Sequence, residues 1–297
     1  MTKVAVTGAN GAVGRALVAM APSHRLDVVA AVRSERAAAD VRALDRTARI
    51  VRVAYDDAAS LALAFAEAAA VIHLPGILVE RAGTTYEAAN VETTRRVAEA
   101  AKRAGVRKVI FVSAIGADAR SENRYWRTKG AAEAIVRASG IPYTVLQVPM
   151  LLGPGTEAAR ALRRCLRRRT AWLLAGGRTL QQPLDVGDLA RAGIAACAPG
   201  VASDGTLELV GPVAVPARQI VERAARLRGR RIRIVPVPVL PLRHALRVVR
   251  RIAGRGFSPD ALHVLTTDTR LDPAPAARAL GIELTPLDRM IERSLEP

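Results

Sequence analysis

The sequence has few of the residues that mark a secreted, metal-binding or membrane-spanning protein. It contains only two cysteines, Cys165 and Cys197, which cannot form a disulfide framework. Its longest apolar run, Val235 to Leu242, is interrupted by three prolines and is too short to cross a bilayer. The first residues enter a β-rich run directly, which leaves no room for a signal peptide. We therefore expect a cytoplasmic protein without a membrane span.

Histidine is equally scarce, and its placement argues against a metal site. The four histidines have no cysteine or carboxylate at metal-ligand spacing, so each is interpreted as structural: His24, His73, His244 and His263. No Gly-x-Ser-x-Gly context surrounds Ser113, so a hydrolase triad is unsupported as well.

Lysine and acidic residues are also few, and arginine dominates the charge. There are 45 Lys and Arg against 27 Asp and Glu, a formal net charge of +18, yet only four residues are lysine. Basic residues concentrate at Arg160–Arg169, Arg223–Arg233 and Arg243–Arg255. Such runs usually form solvated helix faces, although they can attract anionic substrates, lipid headgroups or acidic partners. No zinc-finger or aromatic RNA-binding pattern accompanies them, which argues against nucleic acid as a partner. Oligomerisation is left open.

The first half of the chain alternates short β-rich runs with amphipathic helical stretches. The predicted strands are Lys3–Thr7, Leu26–Val32, Ile50–Val53, Val71–Leu74, Lys108–Val112 and Tyr143–Val148. The predicted helices are Ala12–Met20, Glu35–Leu44, Ala58–Ala69, Thr84–Ala104 and Asn123–Ser139. This alternation is typical of βαβ units and predicts an α/β fold with a doubly wound, mostly parallel sheet. Ligands of such sheets bind at the carboxyl ends of the strands.

The regularity loosens after Pro149, where the turn Gly153-Pro154-Gly155 is followed by helices and proline-punctuated strands. We interpret residues 1–150 as a nucleotide-binding domain and residues 151–297 as a smaller substrate-side lobe, interleaved with it.

One helix of this lobe is predicted at Leu240 to Ile252. Its apolar residues recur at helical spacing and its arginines lie largely elsewhere; the apolar members are Leu242, Ala245, Leu246, Val249 and Ile252. Three roles fit this pattern: a lobe helix that covers the substrate cleft, a subunit contact, or a membrane-surface element. Because the stripe is short and Pro241 fixes its start, we expect it to be buried against the first domain.

The most informative stretch follows the first strand and reads Thr7-Gly8-Ala9-Asn10-Gly11-Ala12-Val13-Gly14. Gly8 permits a tight turn, Gly11 lets the backbone approach a pyrophosphate, and Gly14 lets the helix pack closely on the sheet. The amino terminus of the helix then offers unpaired N–H groups to phosphates. This strand–turn–helix context predicts a Rossmann-type dinucleotide site formed by these residues.

The end of the second strand predicts which dinucleotide binds. NAD sites place a carboxylate there to accept hydrogen bonds from the ribose 2′-hydroxyl. Here the strand ends in Arg33-Ser34, and the first carboxylate is Glu35. An arginine pairs with a 2′-phosphate, and a serine can add a hydroxyl. The sequence therefore favours NADP(H) over NAD(H).

Several further motifs show what the chain resembles: Val71-Ile72-His73-Leu74-Pro75-Gly76, Asn90-Val91-Glu92-Thr93-Thr94, the run from Ala104 to Ser113, Tyr125-Trp126-Arg127-Thr128-Lys129, and Pro142 to Pro149. With the glycine loop, they resemble the extended and atypical branches of the short-chain dehydrogenase/reductase superfamily. The NmrA-like proteins and relatives of the complex I accessory subunit with this fold are the nearest in appearance. The resemblance runs along the whole chain and is specific over the first half.

The resemblance implies a role for each matching position. Asp56 would lie beside the adenine, and Leu74, Pro75 and Gly76 would line the ribose and the central part of the cofactor. Asn90 would support the helix that faces the site, and Pro149 would border the nicotinamide. Tyr125 and Lys129 would be the proton-transfer pair, and Ser113 would lie near the carbonyl being reduced.

The spacing of Tyr125 and Lys129 has a chemical rationale. Residues four apart lie on one helix face, where an ammonium lowers the pKa of a phenol and can also hold the nicotinamide ribose. A lysine in so arginine-rich a chain strengthens this interpretation. Two departures from the family pattern oppose it: Ile115 stands where extended members carry Ser or Thr, and the interval from Ser113 to Tyr125 is short.

Two functions therefore stay open. The first is an NADP(H)-dependent oxidoreductase that transfers hydride to or from a small carbonyl, alcohol or quinone-like molecule. The second is a non-catalytic cofactor-binding protein, either a redox sensor or a structural subunit of a larger assembly.

Overall fold

A computed structural model describes residues 2–45, 48–74, 76–81, 83–253 and 256–296, with residues 248–253 described through their backbone alone. Its centre is a seven-stranded sheet in which every pairing is parallel. Six strands come from the first half and one from the second: β1 (Thr2–Thr7), β2 (Leu26–Val32), β3 (Arg49–Arg52), β4 (Ala70–His73), β5 (Lys108–Ala114), β6 (Tyr143–Val148) and β11 (Gly205–Glu208).

The strand order is β11-β6-β5-β4-β1-β2-β3, so the chain builds outward from β1 to one edge and then returns to β4 on the other side. Strands of this kind are covered on both faces and read as continuous apolar runs. In β1, Val4, Ala5 and Val6 are all fully buried. The predicted doubly wound α/β fold is confirmed, and the reversal between β1 and β4 marks the ligand crevice.

Helices cover both faces of the sheet. One face packs against α1 (Ala12–Met20), α2 (Glu35–Arg42), α7 (Val186–Ala196) and α11 (Ala274–Leu280). The other face packs against α3 (Ala58–Phe65), α4 (Thr93–Arg103) and α5 (Arg124–Ala138). Because α7, α11 and β11 all come from the carboxyl-terminal half, that half is threaded into the first domain.

The smaller lobe has a hydrophobic core of its own. It is built from α6 (Glu157–Arg168), α8 (Ala217–Leu227) and α12 (Leu287–Ser294). Its strands form three short pairs: β7 (Leu151–Leu152) with β10 (Leu184–Asp185), β8 (Thr170–Leu174) with β13 (Arg233–Val237), and β9 (Leu180–Gln181) with β12 (Val215–Pro216). The remaining helices are α9 (Val239–Ala253) and α10 (Pro259–Thr266). The interleaving is visible, whereas the boundary at residue 150 stays a prediction.

Helix bounds differ most from prediction in two places; the other predicted helices of the first half differ by at most two residues at either end. The helix predicted over 84–104 is replaced by a π-helical turn at Glu87–Glu92, followed by α4. The helix predicted over 58–69 ends at Phe65, and Glu67 adopts a positive φ of 61°. Hydrophobic periodicity predicts both helices. It does not reveal a change from α-helical to π-helical hydrogen bonding, nor a residue in the left-handed conformation that ends a helix.

Helix α9 corrects another expectation. Among the members of its apolar stripe that the structure describes, Leu242 and Leu246 are half-buried and Ala245 is exposed; Val249 and Ile252 lie outside the described side chains. The predicted burial against the first domain is therefore wrong for this part of the helix.

Within the described chain, no helix is both long and apolar enough to cross a membrane.

Candidate cofactor and active site

The glycine loop joins β1 to α1 with the predicted geometry. Gly8 adopts a φ of +73°, a left-handed conformation that a side chain would strain. A Cβ on Gly14 would lie 2.5 Å from the Cα of Ala9, so only glycine lets the helix approach the loop this closely. Gly11 begins α1 without a side-chain cap, which leaves its first N–H groups free to bind phosphate. The other predicted loop residues lie at this rim: Asn10 is exposed, and Ala12 and Val13 are half-buried.

Arg15 adds a positive charge that the sequence reasoning missed. It lies in the first turn of α1, and a Cβ on Gly155 would lie 2.2 Å from its Nη2. The glycine at 155 therefore makes room for the guanidinium. Arg15 is half-buried and has no hydrogen-bond or carboxylate partner among the described residues. Its position immediately after Gly14 was the available signal.

The end of β2 carries positive charge and no free carboxylate. Arg33 is exposed and has no carboxylate partner in the described chain. Ser34 caps α2, its Oγ accepting from the backbone N of Ala37 at 3.2 Å, which leaves the hydroxyl proton available. Arg42 binds the nearest carboxylate, Glu35, at 2.8 Å, and this contact lowers the pKa of Glu35. Such surroundings fit a phosphate better than a ribose hydroxyl.

The neighbouring loops bring the central predicted residues together. A Cβ on Gly8 would lie 3.6 Å from the Cβ of Leu74, so the loops after β1 and β4 are in contact. Gly76 lies beside Lys129 and Asn90: its Cβ would be 3.6 Å from Nζ and 3.7 Å from Oδ1. Asp56 is exposed after the edge strand β3, apart from this group. Pro75 falls outside the described residues.

A buried chain of hydrogen bonds runs beneath these loops. The Thr7 Oγ1 lies 2.7 Å from Nδ1 of His73, and Nε2 of His73 lies 3.2 Å from the Thr94 Oγ1. Thr94 donates its single hydroxyl proton to the carbonyl of Asn90 at 2.6 Å, so it accepts from His73 Nε2–H. With Nε2 protonated, Nδ1 accepts from Thr7 in the neutral ring, which is the form that its burial favours. Its complete burial, together with the charge of Lys129, holds its pKa well below the usual value.

The same assignment of donors and acceptors fixes the orientation of the side-chain amide of Asn90. Its Nδ2 donates to Thr128 Oγ1 at 3.0 Å, and Thr128 in turn donates to the Tyr125 carbonyl at 3.0 Å. The buried Oδ1 of Asn90 has no hydrogen-bond partner in the described part of the chain. Asn90 sits within the π-helical turn, a feature found often at functional sites. An unpartnered acceptor beside Gly76 and Lys129 is suited to a ribose hydroxyl of a bound dinucleotide.

Lys129 and Ser113 meet at the carboxyl end of β5. Lys129 is buried; its Nζ donates to the carbonyl of Val112 at 2.8 Å and lies 4.4 Å from the centre of the Phe111 ring. Burial lowers the pKa of Lys129 to about 7. The Oγ of Ser113 is buried and has no hydrogen-bond partner among the residues that the structure describes. Both groups are thus available to a ligand.

Tyr125 is placed one helical turn before Lys129, but the two are not coupled as predicted. Burial raises the pKa of Tyr125, and the neighbouring Tyr86, in edge contact at 5.8 Å, raises it further. Lys129 is occupied by the β5 carbonyl and does not lower this pKa. The prediction that it does so is wrong for this conformation. Spacing put both residues on one face, but the strand carbonyl that draws the ammonium away belongs to another element.

The last predicted residue, Pro149, is half-buried directly after β6. The backbone N of Ile115 donates to Val148 O at 3.1 Å, so the loops after β5 and β6 lie side by side. Pro149 therefore follows the strand that neighbours Ser113, at the same edge of the sheet.

The carboxyl-terminal half fixes the start of α5, which no sequence motif indicated. Asn123 caps this helix, its Oδ1 accepting from the N–H of Tyr125 at 3.0 Å. Its Nδ2 donates to the carbonyl of Asp260 at 3.0 Å, and Arg124 N donates to the Asp260 carboxylate at 3.2 Å. The first turn of α10 therefore holds the helix that carries Tyr125 and Lys129.

A dinucleotide fits this set of residues. Free helix N–H groups lie at the phosphate position, and Arg15 lies in the first turn of the same helix. Arg33 lies after β2, and two buried oxygens without a partner among the described residues belong to the neighbouring Asn90 and Ser113. In the part of the chain that the structure describes, no group of three or more His, Cys, Asp or Glu could hold a metal ion.

Comparison with known proteins agrees with this geometry. The model of a family described as NAD(P)H-binding matches residues 8–168, more than half of the chain. The chain belongs to the NAD(P)H-binding family. The matched residues run from Gly8 of the glycine loop to the end of α6.

This NAD(P)H-binding protein is 28% identical, over 280 residues, to a mitochondrial protein of Arabidopsis thaliana, NADH dehydrogenase [ubiquinone] 1 alpha subcomplex subunit 9. That match covers 89% of the chain and 69% of the relative. Among solved structures, an NADPH-dependent quinone oxidoreductase from Escherichia coli is similar, with a TM-score of 0.73, 20% identity and coverage of 97% and 98%. The UDP-glucuronic acid 4-epimerase of Bacillus cereus, solved with NAD, gives a TM-score of 0.78, 17% identity and coverage of 99% and 98%. These structures share the α/β fold of the chain, and they include both NAD and NADPH binders.

Proposed function

We propose that this protein is an NADP(H)-dependent oxidoreductase that transfers hydride to or from a small carbonyl, alcohol or quinone-like substrate. The observation that carries the proposal is the convergence of Asn90 Oδ1, Ser113 Oγ and Lys129 Nζ at the carboxyl end of the sheet. Two of these buried polar atoms have no partner, and a buried group is rarely left so unless a ligand completes it.

NADP(H) is proposed over NAD(H) because of the residues after β2. Arg33 and the free proton of Ser34 would bind a 2′-phosphate, while Arg42 already engages Glu35. Arg15 and the amino terminus of α1 would hold the diphosphate. Asn90 and Lys129 would hold the nicotinamide ribose.

The cofactor, when bound, supplies or accepts the hydride. Ser113 would donate a hydrogen bond to the substrate oxygen. The raised pKa of Tyr125 keeps its hydroxyl protonated at neutral pH, so it can donate to the same oxygen. Full proton transfer then requires the Lys129 ammonium to leave the Val112 carbonyl and approach the phenol, since a nearby cation favours the phenolate.

A specific observation supports the non-catalytic alternative as a second candidate. Lys129 is bound to Val112 O rather than directed at Tyr125, and Ile115 provides no hydroxyl beside Ser113. A redox sensor or a structural subunit would need the cofactor pocket and not the proton relay.

Turnover distinguishes the two candidates. NADPH oxidation is followed against a panel of carbonyl compounds and quinones, with native protein and with Tyr125→Phe as the matched variant. The oxidoreductase predicts turnover that falls roughly 10²- to 10⁴-fold in Tyr125→Phe while NADPH affinity is kept. NADPH binding without turnover on any panel member favours the second candidate, and unchanged turnover in Tyr125→Phe contradicts the proton-transfer role.

A further inference from the structure

Two stretches of the carboxyl-terminal half contain arginine and no acidic residue. No Asp or Glu lies between Glu157 and Asp185, where seven arginines occur, and none lies between Glu222 and Asp260, where eleven occur. Among the arginines whose side chains are described, Arg160 and Arg223 form ion pairs with carboxylates at or beyond the ends of these stretches. The acidic residues are spread over the rest of the chain, so positive charge is segregated on these two stretches.

The same stretches hold an unusual share of exposed apolar side chains. Among the described residues, seven large hydrophobic side chains are exposed, and four of them lie here: Trp172, Leu227, Leu240 and Phe257. Trp172 is 69% exposed and Leu240 is 63% exposed. A solvated arginine-rich face needs no exposed apolar side chains, so their coincidence with an excess of positive charge calls for a partner that is both anionic and apolar.

The fold places the two stretches side by side. Strands β8 and β13 pair in parallel, with Trp172 opposite Val235 and Leu174 opposite Val237. Helix α9 begins two residues after β13, and Leu240 lies in its first turn. Arg243, His244 and Arg247 are exposed on the next turns. We name β8, β13 and α9 together the basic lobe surface.

We propose that the basic lobe surface binds anionic phospholipid membranes peripherally, with Trp172 and Leu240 entering the headgroup–acyl boundary. Exposed arginine together with exposed leucine and tryptophan is a composition found in elements that bind the membrane interface. Tryptophan in particular prefers the membrane interface.

Two other partners fit the surface less well. A symmetric dimer through this surface would oppose two arginine-rich faces that lack acidic residues, and like charges would repel. Nucleic acid would satisfy the arginines but would leave the exposed Leu240 in water, and no aromatic-interleaved basic pattern is present.

The chain contains only two tryptophans, which makes a direct test possible. Trp126 is half-buried and in edge contact with His263, so a membrane-dependent change in emission reports on Trp172. The full-length protein is mixed with vesicles of phosphatidylcholine containing phosphatidylglycerol, or of phosphatidylcholine alone, and its emission is compared with that of Trp172→Phe. We expect co-sedimentation with the anionic vesicles, a blue shift absent from Trp172→Phe, and quenching by brominated acyl chains.

Matched charge variants locate the contact. Arg243→Glu with Arg247→Glu should weaken binding to anionic vesicles at least roughly tenfold, since each basic residue near such a surface contributes about fivefold. Arg36→Glu with Arg107→Glu changes net charge equally on the other domain and should change binding by less than about threefold. Leu240→Asp should abolish the salt-resistant part of the binding.

Each other outcome overturns the proposal. The proposal fails if the protein does not bind anionic vesicles. It also fails if binding disappears at moderate salt and the Trp172 emission does not shift, because that result indicates adsorption by net charge alone. It fails equally if the two charge variants behave alike. A Trp172 shift without vesicles that depends on protein concentration would show a second copy as the partner, and a shift with duplex DNA alone would show nucleic acid.

Discussion

Replacing Lys129 with methionine should make the protein more stable and its cofactor site weaker. Lys129 keeps a cationic side chain in the interior, where burial lowers its pKa from 10.5 to about 7. Methionine matches the length of the apolar stem without the charge, so the variant removes the cost of burial and the ligand-binding ammonium together.

The magnitude follows from the contacts of Lys129. At about 1.4 kcal/mol for each pH unit, lowering the pKa from 10.5 to about 7 corresponds to at most ~5 kcal/mol. The variant loses the hydrogen bond to Val112 O, worth about 1–3 kcal/mol, and the contact with the Phe111 ring, worth about 0.5–2 kcal/mol. We expect a net gain of about 1–3 kcal/mol in the free energy of unfolding at pH 7.

The gain should depend on pH in a defined direction. Between pH 7 and pH 10.5 the unfolded chain binds more protons at this lysine than the folded protein does, so native stability rises with pH through this window. The advantage of Lys129→Met should therefore be greater at pH 7 than at any higher pH, and it should be gone by about pH 10. Urea unfolding of the cofactor-free protein at both values measures it.

A second buried lysine provides the control. Lys108 donates to the carbonyls of Ala198 and Val201, away from the site, and burial lowers its pKa too. Lys108→Met should leave NADPH affinity unchanged, whereas Lys129→Met should weaken it at least roughly tenfold. A Lys129→Met protein that is less stable than native at pH 7, or that binds NADPH as tightly, would refute the reasoning.

Two further predictions concern the same site. Thr94→Val keeps the shape but leaves His73 Nε2–H without its acceptor, so it should lose about 1–3 kcal/mol of stability and weaken NADPH binding. Thr94→Ser keeps the hydroxyl and should retain most of the stability and of the NADPH affinity. Urea unfolding and NADPH titration measure these two quantities. If packing alone mattered, Thr94→Val would be less affected than Thr94→Ser. Since burial lowers the Lys129 pKa to about 7 and bound ribose and phosphates favour its charged form, NADPH binding should take up a proton above pH 7 and weaken as pH rises. Titrations in buffers of different ionisation enthalpy measure this uptake, which should be absent in Lys129→Met; a pH-independent affinity in the native protein contradicts it.

The sheet and the glycine loop could be predicted because their signals are local. Buried parallel strands appear in the sequence as apolar runs. Gly8 is required by its positive φ, and Gly14 is required because a Cβ there would lie 2.5 Å from the Cα of Ala9. The position of Arg33 after β2 follows from the same local order. Each of these features depends on neighbours within a few residues.

Features that depend on contacts between distant elements could not be predicted. Nothing in the spacing of Tyr125 and Lys129 indicates that the Val112 carbonyl binds the ammonium, and His73 was interpreted as structural without its partners, Thr7 and Thr94. The stripe of α9 shows the same limit, because periodicity identifies an apolar face but not what covers it.

The preference between the two dinucleotides tests the central claim most directly. Isothermal titration of the native protein should show NADPH binding roughly 10- to 100-fold more tightly than NADH, since one charge-assisted pair contributes about 1.5–3 kcal/mol. Arg33→Asp should erase or reverse the preference while leaving the fold intact. Equal affinities for both dinucleotides in the native protein, or no binding of either, would contradict the claim that this chain is an NADP(H)-dependent protein.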